Sequence, residues 1–259
     1  MKPDLLDWDV LDRELNQWAA DGLTATFWWR DDDASRDSDQ LARLLELTAS
    51  SQTPVSLAVV PDWLTDTLPN SIAQFPHVSV LQHGYAHRSH AGSGARKSEF
   101  ADNRDVSDMR TEIISGEQIL RDNFGGQFLP VMVPPWNRYG GALRSLFIEL
   151  EFTGLSAMWA SDPAQSRYPL RQVNTHIDPI AWRGDRGYAG ADVVLEQLIS
   201  HLRLRREISA CLAEPTGLLT HHLDHTPDVW NFCEQFVHRL SAHSCVQWVS
   251  AAQIWSPRQ

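Results

Sequence analysis

The sequence predicts an α/β fold in which mostly parallel strands curl into a barrel. Two observations predict it. Strand-like and helix-like runs alternate along most of the chain, in about seven or eight units, which is the order of a parallel sheet with helices outside it. The polar residues able to do chemistry each follow a strand-like run, and a barrel opens all its strand C-termini on one face.

The elements follow in order. Residues 24–30 are β-branched and aromatic and read as a strand. Residues 38–50 place Leu41, Leu44, Leu45 and Leu47 at helical spacing. Residues 54–60 form an apolar strand closed by Pro61, and residues 78–82 form the next. Residues 106–124 are the clearest amphipathic helix, with Val106, Met109, Ile113, Leu120 and Phe124 on one stripe and Asp105 as cap. A strand at 128–133 is stopped by Pro134-Pro135. A helix over 141–152 leads to a strand at 155–159, and 173–180 is extended. A helix at 191–213, a strand at 217–220, a helix at 228–242 and a strand at 245–249 complete the pattern. The polar stretch 89–104 has no periodicity and reads as a lid or as a surface loop.

The 259 residues fit one domain spanning 1–259, and 42% hydrophobic residues supply a sizeable core. Net charge is −11, and the only basic cluster, Arg203-Leu204-Arg205-Arg206, ends a predicted helix where cations suit the dipole. Nucleic acid is therefore not an expected partner. No run approaches the roughly 18 apolar residues of a membrane span. Residues 1–7 are acidic where a signal peptide needs an apolar core. Cys211, Cys233 and Cys245 show neither metal spacing nor a disulfide framework, so a cytoplasmic setting is expected.

Chemistry concentrates in Asp31-Asp32-Asp33 and in His83-Gly84-Tyr85-Ala86-His87. Two histidines four apart plus one carboxylate make a three-ligand set that leaves metal positions open, as in zinc sites that do chemistry. Zinc is the expected ion, with cobalt, nickel, iron or manganese as alternatives. Pro135-Trp136-Asn137-Arg138 and His221-His222 end two further strands. Side chains alternate along a strand, so one of the two late histidines faces the site, and His221 is favoured.

In order and spacing these segments resemble the polysaccharide deacetylases, the NodB-homology or carbohydrate esterase 4 type. Asp32-Asp33 looks like the family's Asp-Asp pair, and His83 to His87 like its His-(Ser/Thr)-x-x-His. Val133-Pro134-Pro135 looks like Arg-x-Pro, and Leu219-Thr220-His221 like Leu-x-His. The resemblance implies a distorted (β/α)7 barrel. It implies Asp32 as general base, Asp33, His83 and His87 as metal ligands, and His221 as general acid. Three departures stand out. The triple aspartate leaves the register open between Asp31/Asp32 and Asp32/Asp33. Gly84 replaces the hydroxyl residue. Val133 replaces the arginine that orients the base, a role open to Arg138 or Arg30.

The activity implied is metal-dependent hydrolysis of N-acetyl or O-acetyl groups on a small or oligomeric sugar, such as a cytoplasmic precursor of a cell-surface glycan. The alternatives are an amidohydrolase acting on a non-sugar amide or imide, and a non-catalytic carbohydrate-binding barrel. Expected substrate contacts are Tyr85, Pro135, Trp136, Asn137, Arg138, Asp178 and Trp182. Of these, a backbone N–H near Tyr85 or Trp136 would hold the oxyanion, Trp136 and Trp182 offer flat rings to a sugar, and Asp178 or Trp182 would orient His221. His90, His176, His201, His225, His238 and His243 have no matching context and read as structural.

Overall fold

The strand that carries the aspartates, β1 (Ala25–Ala34), lies at the centre of the sheet. The computed structural model describes residues 8–159, 169–184, 186–208 and 211–255. On one side of β1 stand β2 (Val55–Val59), β3 (Val78–His83), β4 (Phe128–Val133), β5 (Gly154–Leu155) and β6 (Arg171–Gln172). On the other stands β7 (Thr216–Thr220), while β8 (Val246–Trp248) pairs with the first residues of β1. Every ladder is parallel.

The sheet closes on itself through single bridges rather than a ladder. Thr175 bridges Met158, and two residues on Ile177 bridges Leu218 of β7. The His176 N–H donates to the Gly217 carbonyl at 2.7 Å, and the Leu219 N–H to the Ile177 carbonyl at 2.8 Å. This is the distorted seven-stranded barrel expected, with β8 outside the ring. The strand expected at 155–159 shrinks to the two-residue β5, and 173–180, expected to be extended, follows the two-residue β6 and meets its neighbours only through single bridges, because this stretch crosses between neighbours instead of running alongside one.

The helices α1 (Trp8–Ala20), α2 (Asp39–Ser50), α3 (Thr67–Ile72), α4 (Val106–Phe124), α5 (Leu143–Glu149), α6 (Ala191–Glu207), α7 (Pro227–Ala242) and α8 (Ala251–Trp255) complete the chain. Local chemistry starts several of them. Ser38 caps α2 by accepting from the Leu41 N–H, and Asp105 caps α4 as its sequence predicts. Thr226 followed by Pro227 starts α7. α1, α3 and α8 were not anticipated. The helix expected at 191–213 ends at Glu207, and residues 209–210 of that range lie outside the described residues, as does the acidic segment 1–7.

Inside the ring, Trp28, Ala58, Leu81, Val131 and Val173 meet, and Trp255 of α8 packs edge-on against Trp28. A larger core joins the sheet to α1, α2, α6 and α7. The basic run on α6 ties helices and strands together rather than merely suiting a dipole. Arg205 is fully buried and donates to Thr26, Leu212 and Thr216, while Arg203 and Arg206 pair with Glu14 of α1. Among the described residues no helix is long and apolar enough to cross a membrane.

Closure depends on Gly217. A Cβ there would stand 2.7 Å from the Asn174 carbonyl oxygen and 2.5 Å from Trp28 Nε1. Gly217→Ala is expected to destabilise the fold by about 1–3 kcal/mol, the usual cost of overpacking a tight contact. Urea denaturation of the variant beside the parent checks this.

Candidate functional site

β1 continues through all three aspartates instead of stopping at Arg30. Trp28, Arg30 and Asp32 share one face of the strand by ordinary alternation. Arg30 is fully buried and uses all five of its donors. Nε and Nη2 grip the two oxygens of Asp32 at 2.8 and 3.0 Å. Nη2 also donates to Asn137 Oδ1 at 2.7 Å, and Nη1 to Ser156 Oγ at 2.7 Å and the Ala157 carbonyl at 3.2 Å. Arg30, not Arg138, thus holds the carboxylate that the resemblance makes the base. Arg138 instead donates to the Lys97 carbonyl.

Simple alternation would turn Asp33 away from Asp32. The β1–β2 register slips between Asp31 and Ala34, and Asp33 takes φ = 66°. This bulge turns two consecutive aspartates towards one cleft. Asp31 points the other way. It accepts from Thr220 Oγ1 at 2.6 Å, from the His222 N–H at 3.0 Å and pairs with His222 Nδ1 at 2.5 Å. Burial opposes its charge, but His222, His225 and Thr220 together outweigh burial and lower its pKa. Of the two registers left open by the sequence, the structure selects Asp32/Asp33. It also separates the late histidines, with His222 tied to Asp31 and His221 on the cleft wall.

β3 delivers His83. Its Nδ1 meets the Val133 carbonyl at 2.9 Å, leaving Nε2 facing Asp33. The residue that stands in place of an arginine therefore acts through its backbone. Gly84 turns the chain at φ = 58°, and His87 at φ = 50° brings the second imidazole back. The turn between them is pinned by Glu99, which sequence reasoning missed. Fully buried, Glu99 accepts from the Tyr85 N–H at 3.2 Å and the Ala86 N–H at 2.8 Å. Burial raises its pKa, and the two N–H groups oppose that rise only in part. Gly84 is the space Glu99 occupies, since a Cβ at that position would lie 1.9 Å from Glu99 Oε2.

Asp33, His83 and His87 offer one ligand atom each, all within 4.8 Å of one another. Asp33 Oδ1 lies 3.2 Å from His83 Nε2 and 3.4 Å from His87 Nε2. It is buried with no partner of hydrogen-bonding geometry. Burial opposes charge on Asp33, yet the neighbouring histidines outweigh it and lower its pKa. Burial and His83 push His87 down to about 4, leaving its lone pair free at neutral pH. Burial also opposes charge on His83, but Asp32 and Asp33 raise its pKa. The group calls for one positive charge between its three atoms, and the donor set fits a divalent cation.

The cleft around this group has a volume of about 820 Å³. His221 and Asp178 also line it, and the Trp182 ring packs edge-on to His221 with centroids 4.5 Å apart. Trp182 Nε1 donates to Asp178 Oδ2 at 2.6 Å, so the two residues expected to orient His221 hold each other beside it. Burial raises the Asp178 pKa, and His221 lowers it. Trp136, Asn137 and Arg138 line the cleft, with the Trp136 ring 4.4 Å from that of His87. Tyr85 and Pro135, expected at the substrate, are not among the lining residues. The Tyr85 N–H is already taken by Glu99, its carbonyl accepts from Asp62, and Pro135 packs against Gly84. Trp159 and Arg186 also line the cleft and carried no sequence signal.

His176, His201 and Glu214 form a second group with ligand spacing. Here the tautomer excludes a cation. The Gly217 N–H donates to His176 Nδ1 at 3.0 Å, so the neutral ring carries its proton on Nε2, the atom facing Glu214. Burial keeps both rings neutral, lowering His176 and pushing His201 down to about 2. Both are structural, as the sequence predicts.

The fold is that of the polysaccharide deacetylases and family 4 carbohydrate esterases. No protein-family model and no curated relative matches the chain. Among solved structures, a putative polysaccharide deacetylase from Mycobacterium smegmatis superposes with a TM-score of 0.63 at 17% identity, covering 90% of this chain and 89% of that one. A peptidoglycan N-acetylglucosamine deacetylase gives 0.56 at 14% identity, covering 94% and 97%. A family 4 acetyl xylan esterase from Clostridium thermocellum, in complex with a cobalt ion, gives 0.54 at 13% identity, covering 89% and 90%.

Two outcomes are expected. Glu99→Ala should weaken divalent-cation binding about 10–100-fold, the usual cost of losing a group that orients ligands, while far-ultraviolet circular dichroism stays that of the parent. Competition with a chromogenic chelator measures the affinity. Below the ordinary histidine range of about 6.5 the unfolded chain takes up a proton that folded His201 refuses, so stability falls as pH falls. In His201→Gln the slope of unfolding free energy between pH 6.5 and 4 should be shallower by up to about one proton.

Proposed function

We propose that this chain is a divergent member of the polysaccharide deacetylase family that hydrolyses acetyl groups on a sugar. One observation carries the reading. A carboxylate clamped by a buried arginine, Asp32, stands next to a carboxylate–imidazole group fit for a cation, with His221 across the same cleft. The fold shared with deacetylases and esterases supports it, as does the cobalt ion of one of them.

Asp33, His83 and His87 would hold the ion, with zinc expected. A divalent cation bound there supplies Lewis acidity, polarising a carbonyl oxygen and lowering the pKa of water to about 7. Asp32 accepts the proton released as water attacks. Arg30 keeps both Asp32 oxygens in place, so no reorganisation is needed at that moment. The Trp136 N–H has no acceptor among the described residues and is the donor we assign to the developing oxyanion. His221 gives a proton to the leaving nitrogen or oxygen, without which an amine would depart as an anion. Trp182 and Asp178 pack beside His221 and limit its movement. Trp159 and Trp182, 56% and 40% exposed on the cleft wall, present flat apolar faces suited to a sugar ring.

Acetate release from N-acetyl and O-acetyl sugars by metal-loaded protein tests the reading. Asp32→Asn should lose a factor of about 10²–10⁴ in kcat while keeping one bound cation, and Asp33→Ala should lose the cation. Metal-loaded protein that releases no acetate from any such sugar would overturn it.

A further inference from the structure

The chain as a whole is acidic, yet the rim of its cleft is basic. Net charge is −11. Arg96, Lys97, Arg138 and Arg186 all line the cleft and are exposed. None of them is ion-paired with a carboxylate among the described residues. The acidic lining residues do not cancel them. Asp32 is neutralised from beneath by Arg30, Asp33 belongs to the ligand group, and Asp178 is buried against Trp182. Among the described lining residues, Asp224 alone remains to face four cations.

The cations are organised, not scattered. On the His87 side, Arg138 Nη1 donates to the Lys97 carbonyl at 3.1 Å, and Ser98 Oγ donates to the Arg138 carbonyl at 3.3 Å. These bonds join the 89–104 stretch to the turn after β4. Lys97 Nζ sits 5.8 Å from the centroid of the Trp136 ring, which itself packs on His87. On the His221 side, the Arg186 guanidinium lies 5.7 Å from the centroid of the Trp182 ring, which packs on His221. Each wall thus sets an aromatic face and a cation next to a residue of the reacting group.

Exposed cations without an ion pair among the described residues, repeated along one cleft of an otherwise acidic protein, focus field on that cleft and draw anions into it. Guanidinium forks match carboxylate and phosphate oxygens in pairs, and the rings accept the sugar face between them. From this we propose that the substrate is an anionic acylated sugar, bearing a carboxylate or a phosphate near the acetyl group, and that Arg96, Lys97, Arg138 and Arg186 receive that charge. The inference rests on the hydrolase reading above and names its substrate class. It also gives the polar 89–104 stretch a role as a charged wall.

The test uses metal-loaded protein and matched pairs: a neutral N-acetyl oligosaccharide, the same backbone bearing a carboxylate, and the same bearing a phosphate. Binding is followed by tryptophan fluorescence and turnover by acetate release. A charged member should bind about tenfold or more tightly than the neutral one at low salt, and the advantage should shrink as salt rises. In the double variant Arg96→Gln/Lys97→Gln, and separately in Arg186→Gln, the charged-to-neutral ratio of affinities and of KM should fall towards one. The carboxylate and phosphate arms identify which anion is preferred. Equal or tighter binding of the neutral member would overturn the proposal, as would a charge preference that survives in both variants. If the charged sugar binds selectively but no acetate is released from any arm, the anion site stands and the hydrolase reading falls.

Discussion

The site is built around one buried guanidinium. Arg30 sits at the hinge between the packed interior of the barrel and its open end, fully removed from water. A buried cation is costly unless every donor is matched and a counter-charge lies beside it. Here Asp32 supplies the charge, and Asn137, Ser156 and Ala157 supply the remaining acceptors. Three of the five bonds join β1 to Asn137 in the turn after β4 and to Ser156 and Ala157 just after β5. Removing Asp32 would strand the cation, and removing Arg30 would strand the carboxylate. The geometry of the reacting carboxylate and the closure of this part of the barrel are therefore one constraint.

Around that anchor the backbone is held in conformations it would not choose. Eight non-glycine residues among those described have positive φ, and six of them (Asp33, His87, Trp136, Asn137, Trp159 and Arg186) line the cleft. Such conformations persist only where the surroundings over-determine them. Glu99 does so for the turn from His83 to His87, and Arg30 does so for Asn137. The concentration of strained backbone along one cleft is what a preorganised site looks like.

The fold and the pairing of His83 with His87 were legible because they rest on local patterns. Strand and helix periodicity, Pro134-Pro135 after β4, Asp105 at the start of α4 and the spacing of His83 and His87 are read within a few residues of each other. What was misread depended on distant partners. β1 was expected to end at Arg30, but it runs on through the aspartates, with Asp32 held by Arg30 and Asp31 by His222. Glu99 lay in a stretch without pattern, and only the space left by Gly84 hints at it. Tyr85 looked available to substrate, although its N–H is spent on Glu99.

By itself the sequence determined that parallel strands and helices alternate, and that the ligand-type residues gather at or just after the C-terminal ends of their strands, because periodicity and spacing are properties of neighbouring residues. The tertiary structure alone decided which aspartates face the cleft, which of His221 and His222 joins them, which arginine holds Asp32, and that the neutral His176 ring points a proton, not a lone pair, at Glu214. Each of those is settled by a hydrogen bond or a register slip between segments far apart in the chain, where a change of one residue or one tautomer reverses the chemistry.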